Sequence, residues 1–210
     1  MKTINEYLST KIKQSDIKAE NKTIINIVVS EIKRLGNDAD LNHINTSRVT
    51  SFYYQSVPLF GDIDFSGDIS KWDTRNCEDF TGIFYRCENF NCDLNEWDMS
   101  NATSIASMFL QCKNFNQPLY GWHFTRLDNA FNVFNDCRKF NQDISKWNMT
   151  TVTATAQMFM NCKSLCKDFS KWTFRNESNV RNMFTGCDKM KKEYFPEAYI
   201  NYLKFEEKFK

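Results

Sequence analysis

Every tryptophan in the chain stands on one 25-residue ladder: Trp72, Trp97, Trp122, Trp147 and Trp172. Phe84, Phe109, Phe134, Phe159 and Phe184 keep the same step, and so do Cys87, Cys112, Cys137, Cys162 and Cys187. A further column, Phe65, Phe90, Phe115, Phe140, Leu165 and Met190, degrades to other apolar residues toward its end. A fixed period of this length is the signature of stacked repeats, in which no unit buries its apolar face alone. The chain is therefore expected to be a solenoid, and 210 residues with 41% apolar content are enough to fill a continuous core.

Within a unit the hydrophobic period changes. Ile105, Met108, Phe109 and Cys112 sit at i, i+3, i+4 and i+7, as do Phe80, Ile83, Phe84, Cys87 and Val180, Met183, Phe184, Cys187. This spacing predicts a two-turn α-helix in each unit. Thr103, Asp128, Thr153 and Ser178 stand just upstream as N-caps, with Glu78 the weaker member. The other half reads Leu94-x-x-Trp97-x-Met99, Leu119-x-x-Trp122-x-Phe124, Ile144-x-x-Trp147-x-Met149 and Phe169-x-x-Trp172-x-Phe174, the spacing of a leucine-rich-repeat strand. Its final i, i+2 step points both apolar side chains inward. The expected fold class is an α/β repeat solenoid, leucine-rich-repeat-like, with short parallel strands and short helices stacked in 25-residue coils. Its tryptophans should lie over one another in a continuous column.

A solenoid needs atypical ends. Residues 1–40 are expected to form an N-terminal helical cap, with Ile24, Ile27, Val28, Ile32 and Leu35 on one face, Asn21 as N-cap and Gly36 as the stop. Residues 41–190 form the solenoid: a degenerate first coil with Ile44 in the place of tryptophan, then five regular repeats. Ile44 lies 28 residues before Trp72, so residues 61–69 are expected to absorb a three-residue bulge. Residues 191–210 supply a C-terminal helical cap that starts at Pro196 and carries Ala198, Tyr199, Tyr202, Leu203 and Glu206.

The runs Phe140-Asn-Gln-Asp-Ile-Ser-Lys-Trp147-Asn-Met-Thr and Gln157-Met-Phe-Met-Asn-Cys162, on the 25-residue period, resemble the repeat of BspA-like leucine-rich-repeat surface proteins. The resemblance covers residues 41 to about 190 and implies an adhesion-like module that binds host or microbial proteins. A looser resemblance links the capping helix and its Leu41-Asn-His-Ile44 segment to short chains encoded by bacteriophages of gut bacteria. Members of the surface family are mostly secreted or lipid-anchored. Here the N-terminal run MKTINEYLSTKIKQSD carries charge throughout and lacks the apolar core of a signal peptide. A cytoplasmic or virion-associated location is expected over a secreted one, with no membrane-spanning segment.

The chemistry-bearing residues weaken any catalytic reading. The five ladder cysteines recur once per coil on an apolar face, unlike the close pairs of zinc sites, and read as core; so does Cys77, which takes the place of Val49 and Val152. Cys92 and Cys166 lie off the ladder, where exposure is open. His43 and His123 belong to different coils, and no triad, Walker loop or dinucleotide fingerprint occurs. Asp68, Asp93 and Asp143 suggest a calcium ladder, but Pro118 interrupts the column, and turn-forming aspartates that bond their own backbone fit better. No metal or cofactor is expected.

The candidate binding surface is the outward column Asp73, Asp98, His123, Asn148 and Thr173, flanked by Arg75 and Arg175 and by Tyr120, an aromatic among serines and asparagine. The alternative is that these are solvated positions without a partner. A net charge of +1 provides no field for nucleic acid. The chain reads as a non-enzymatic module that presents a rigid surface to a protein or glycan; the second reading is a structural or assembly subunit, for example of a bacteriophage particle, with its contacts at the caps.

Overall fold

The structure is a computed structural model that describes residues 17–18, 21–54, 57–61, 63–175 and 179–208. Its elements are β1 (Ile17–Lys18), α1 (Asn21–Leu35), β2 (Ile44–Asn45), β3 (Tyr53–Tyr54), β4 (Val57–Pro58), a 3-10 turn at Lys192–Tyr194 and α2 (Glu197–Lys208). β1 pairs with β2 in parallel and β3 with β4 antiparallel. Between the caps the chain coils on itself every 25 residues with little regular secondary structure.

The expected helix in each unit is replaced by a run of turns. Ile105, Ser107, Phe109 and Gln111 donate their N–H groups forward to the carbonyls of Asn129, Phe131, Val133 and Asn135 in the next coil. The amides between them turn back: Met108, Leu110 and Cys112 donate to Ile105, Ser107 and Phe109. Ala130, Asn132, Phe134 and Asp136 repeat the forward pattern one coil on. Alternate amides thus cross to the neighbouring coil, whereas an α-helix keeps all of them on its own i−4 carbonyls.

Left-handed residues make this geometry possible. Two columns have positive φ: Gly82, Ser107, Asn132, Gln157 and Asn182 (54° to 64°), and Arg86, Gln111, Asp136, Asn161 and Gly186 (60° to 76°). A left-handed residue every fourth position breaks the helix yet keeps i, i+3, i+4 and i+7 on the inside, so the burial pattern holds: Ile105, Met108, Phe109 and Cys112 are fully buried. The expected N-caps serve a different purpose. Thr103 donates both N–H and Oγ1 to the Glu78 carbonyl of the preceding coil, and Thr153 Oγ1 bonds Asp128 Oδ1; Ser178 lies outside the described residues.

The Trp-x-Met segments likewise are not strands. Parallel bridges instead run through Ser51, Asp79, Ser104, Asn129, Ala154 and Asn179, beside the turns. The tryptophan segments are held by their indoles: Trp97, Trp122 and Trp147 donate Nε1 to the buried carbonyls of Ile69, Leu94 and Leu119 at 3.1, 2.8 and 3.2 Å.

The core is a stack of aromatic rings. Phe60, Phe84, Phe109, Phe134, Phe159 and Phe184 form the unbroken column, with centroids 5.3 to 5.7 Å apart. Phe90, Phe115 and Phe140 pack beside Phe84, Phe109 and Phe134 at 3.9, 4.1 and 4.0 Å. Tryptophans stack in pairs, Trp72 on Trp97 and Trp122 on Trp147, and no ring contact joins Trp97 to Trp122. The tryptophan column is therefore interrupted and the phenylalanine column carries the continuity. Ladder cysteines finish the wall: Cys112, Cys137 and Cys162 donate Sγ–H to the Phe84, Phe109 and Phe134 carbonyls of the preceding coil at 2.9 to 3.0 Å.

The first coil's extra residues lie earlier than expected. Ser51 to Phe60 takes nine steps where Asp79 to Phe84 takes five, because the β3–β4 hairpin loops out between them. The segment from Phe60 to Phe65 is one residue shorter than Phe84 to Phe90, which leaves the net surplus at three, so residues 61–69 absorb none of it.

Each end replaces a missing neighbour. α1 buries Ile24, Val28 and Ile32, and Gly36 ends it at φ 102°, donating N–H to Ile32. Asn21, expected as N-cap, instead accepts on Oδ1 from Thr50 and Ser51 N–H at 2.8 and 3.1 Å, in place of a preceding coil's carbonyl. Glu31, fully buried, is held by Arg34. At the other end α2 places the Tyr199 ring edge-on against Phe184 and Phe195, with centroids 5.2 and 5.1 Å away.

Candidate functional site

The outward column survives the change of secondary structure, because Trp97 and Met99 still face inward and Asp98 between them faces out. Asp98, His123, Asn148 and Thr173 are exposed; Asp73 is half-buried. Stacking brings the column together. Thr46 Oγ1 donates to the Asp73 carbonyl at 2.9 Å and Thr74 Oγ1 to the Asp98 carbonyl at 3.0 Å, so consecutive members lie on consecutive coils. Further along, Thr125 Oγ1 bonds the Ser100 carbonyl at 2.7 Å.

Local turns fix these side chains. Asp98 Oδ1 accepts from Ser100 N–H at 2.9 Å, and the Ser100 hydroxyl, its N–H and nearby Arg75 hold the Asp98 carboxyl below the usual carboxylate range. Asp73 Oδ1 accepts from Arg75 Nε at 2.8 Å, which raises the arginine's already high value. Asn148 Oδ1 accepts from Thr150 N–H and Oγ1 at 3.1 and 2.7 Å. His123 Nδ1 lies 2.7 Å from the Gly121 carbonyl, which only accepts, so Nδ1 carries a proton and donates there, on an exposed ring. Tyr120 is 70% exposed, the most exposed large apolar side chain described, beside buried Leu119 and Trp122. Arg175 is exposed at the far end of the face.

The aspartates before the tryptophans form turns as expected. Asp68, Asp93, Asp143 and Asp168 each accept on Oδ1 from the N–H two residues on, at 2.8 to 2.9 Å. Among the described residues no group of three His, Cys, Asp or Glu side chains can hold a metal ion. Cys92 and Cys166 are half-buried. Burial, with Asp68 beside it, pushes the Cys92 thiol up to about 12, and burial lifts Cys112, Cys137 and Cys162 well above the ordinary thiol value. None of these four is an activated nucleophile.

A feature that the spacing argument missed lies at the C-terminal end. Asn179, Val180 and Arg181 on the last coil and Ala198, Asn201, Tyr202, Phe205 and Glu206 on α2 enclose a groove of about 580 Å³. Phe205 is 58% exposed there. Its signal in the sequence is the stripe Ala198, Tyr202, Phe205 at i, i+4, i+7, which extends the apolar face of α2 beyond what Tyr199 and Leu203 need for docking.

A family model described as Mycoplasma protein of unknown function, DUF285, matches residues 23–137 and 126–196. The chain belongs to the DUF285 family. The two matched spans overlap within one coil, as a repeated unit allows, and together run from α1 through every coil to the residue before α2. No curated protein and no solved structure matches this DUF285 chain. No described helix is long and apolar enough to cross a membrane.

Proposed function

We propose that the chain is a non-enzymatic recognition module, a leucine-rich-repeat-like solenoid of BspA-like character that binds a protein or glycan partner in an adhesion-like manner. The observation that carries this reading is Tyr120. An aromatic ring 70% exposed, on a chain whose five tryptophans are all buried, is set beside His123 and the polar column Asp73, Asp98, Asn148 and Thr173, with Arg75 and Arg175 at its ends. Asp73, Asp98, His123 and Asn148 stand on coils pinned by bonds to the coils before and after them, so this part of the face is preorganised and binding orders little new. Tyrosine and arginine are the anchors favoured at interface centres, and a flat ring among amides and carboxylates also suits a sugar.

The test compares wild type with Tyr120→Ala/His123→Ala in glycan-array binding and in capture from lysates and membranes, both proteins first shown folded by tryptophan emission. A ligand bound by wild type and lost at least tenfold in the double variant supports the reading. A ligand that both bind equally places the site elsewhere.

A further inference from the structure

The two ends of the solenoid are not equally closed. At the N-terminal end Asn21 Oδ1 takes both amides, Thr50 and Ser51, that in later coils bond backward. At the C-terminal end the amides that bond forward have lost their acceptors. In the preceding coil Thr155, Gln157 and Phe159 donate to the carbonyls of Asn179, Arg181 and Met183. In the last coil, among the described residues, no acceptor meets the N–H of Val180 or Asn182. Both are structurally equivalent to paired donors elsewhere: Ile105 and Ser107 bond Asn129 and Phe131 at 3.0 and 2.8 Å, and Ala130 and Asn132 bond Ala154 and Ala156 at 2.8 and 3.0 Å. The groove of about 580 Å³ is lined on this edge by Asn179, Val180 and Arg181 and walled on the far side by α2; Asn182 lies beside it, its Oδ1 accepting from the Tyr202 hydroxyl at 3.4 Å.

We infer that this groove is a second binding site, which takes an extended peptide segment of a protein partner as a substitute coil. Two donors two residues apart on an open edge call for two carbonyls two residues apart on the partner, which a peptide backbone laid parallel to residues 179–183 supplies. Unpaired amides of this kind are templates for added strands. The wall of Ala198, Tyr202 and Phe205 accepts one apolar side chain, and Arg181 and Glu206 balance each other in charge at the groove, so the segment is uncharged where it docks. A sugar offers neither the carbonyl spacing nor an apolar side chain. The site is independent of the Tyr120 face, which belongs to coils further back.

The experiment selects a yeast-displayed library of linear nonapeptides against the immobilised full-length chain, with Asn201→Trp, which fills the groove from an exposed helix position, as the counter-selection. Enriched peptides are then added to labelled wild type while amide hydrogen exchange is followed. The expected result is enrichment of peptides with a central apolar residue that slow exchange at Val180 and Asn182 in proportion to 1 + [L]/Kd, about a hundredfold at a hundredfold excess over Kd. Tyr120→Ala should bind the same peptides unchanged, which separates this site from the proposed recognition face. No enrichment over Asn201→Trp, or peptides that protect amides elsewhere, overturns the inference. Concentration-dependent self-association that protects the same two amides without peptide overturns the assigned occupant, since the groove then belongs to a second copy.

Discussion

Phe134→Ala is the perturbation that most severely loads the aromatic column. Phe134 is fully buried, with ring centroids 5.5 Å from Phe109, 5.6 Å from Phe159, 4.0 Å from Phe140 and 6.0 Å from Trp147. Its neighbours cannot close in, because the amides of Phe109, Phe134 and Phe159 are each bonded to a carbonyl of the next coil. Truncating a buried phenylalanine costs about 3–5 kcal/mol, and a site that cannot collapse belongs at the top of that range, about 4–5 kcal/mol. Phe195, half-buried at the C-terminal cap, has one stacked and one edge contact with Phe184 and Tyr199, and Phe195→Ala should cost about half as much. Guanidinium unfolding followed by tryptophan emission measures both. The expected result is a midpoint lowered further by Phe134→Ala, with an unchanged denaturant slope. A loss under about 2 kcal/mol, or one equal to that of Phe195→Ala, would refute the claim that the phenylalanine column bears the stability.

Three further outcomes follow from the same geometry. Ser107→Val, which forces a β-branched residue to φ 54°, should destabilise by about 1–2 kcal/mol, while Ser107→Gly should be neutral or stabilising, both read by thermal unfolding. Ellman's reagent at pH 8 should leave the ladder thiols unmodified in the native chain, since a thiol at about 12, such as Cys187, is ionised in only about one molecule in ten thousand; rapid labelling of Cys112, Cys137 or Cys162 before unfolding would contradict their burial. Asp68, Asp98 and Asp143 have carboxyls held below their unfolded values by turn donors, so their contribution is present above about pH 4 and lost as pH falls through the lower folded values. Thermal midpoints should therefore fall on the acid side, and Asp143→Asn, which keeps an oxygen for the Ser145 amide, should flatten that fall; an unchanged acid limb would argue against it.

The period, the burial columns and both cap helices were legible because they depend on apolar spacing alone: α1 runs Asn21–Leu35 and α2 starts one residue after Pro196. The backbone between apolar positions was not. Ile105, Met108, Phe109 and Cys112 fit a helix and a run of turns equally well, since both bring i, i+3, i+4 and i+7 to one side. The deciding residues were Gly82, Asn132, Asn182, Asn161, Asp136 and Gly186, types that tolerate positive φ, recurring at two fixed places in a segment taken as helical. The outward column was legible because alternation around tryptophan holds in any extended chain. The C-terminal groove was not, because it arises from amides with no following coil, and spacing says nothing about unmet backbone donors.

Removing whole coils tests the central claim, a register of exactly repeated turns locked by alternate amides, most directly. Deleting residues 129–153 joins Asp128 to Ala154, which occupies the same bridge position as Asn129. Deleting residues 129–152 removes one residue fewer and displaces every side chain after the junction. Near-ultraviolet circular dichroism and cooperative thermal unfolding of both proteins are the measurement. The account predicts a native aromatic signal and a sharp transition, at a lower temperature, for the 25-residue deletion, and loss of both for the 24-residue deletion. Two proteins that fold equally well, or a 25-residue deletion that fails to fold, would contradict it.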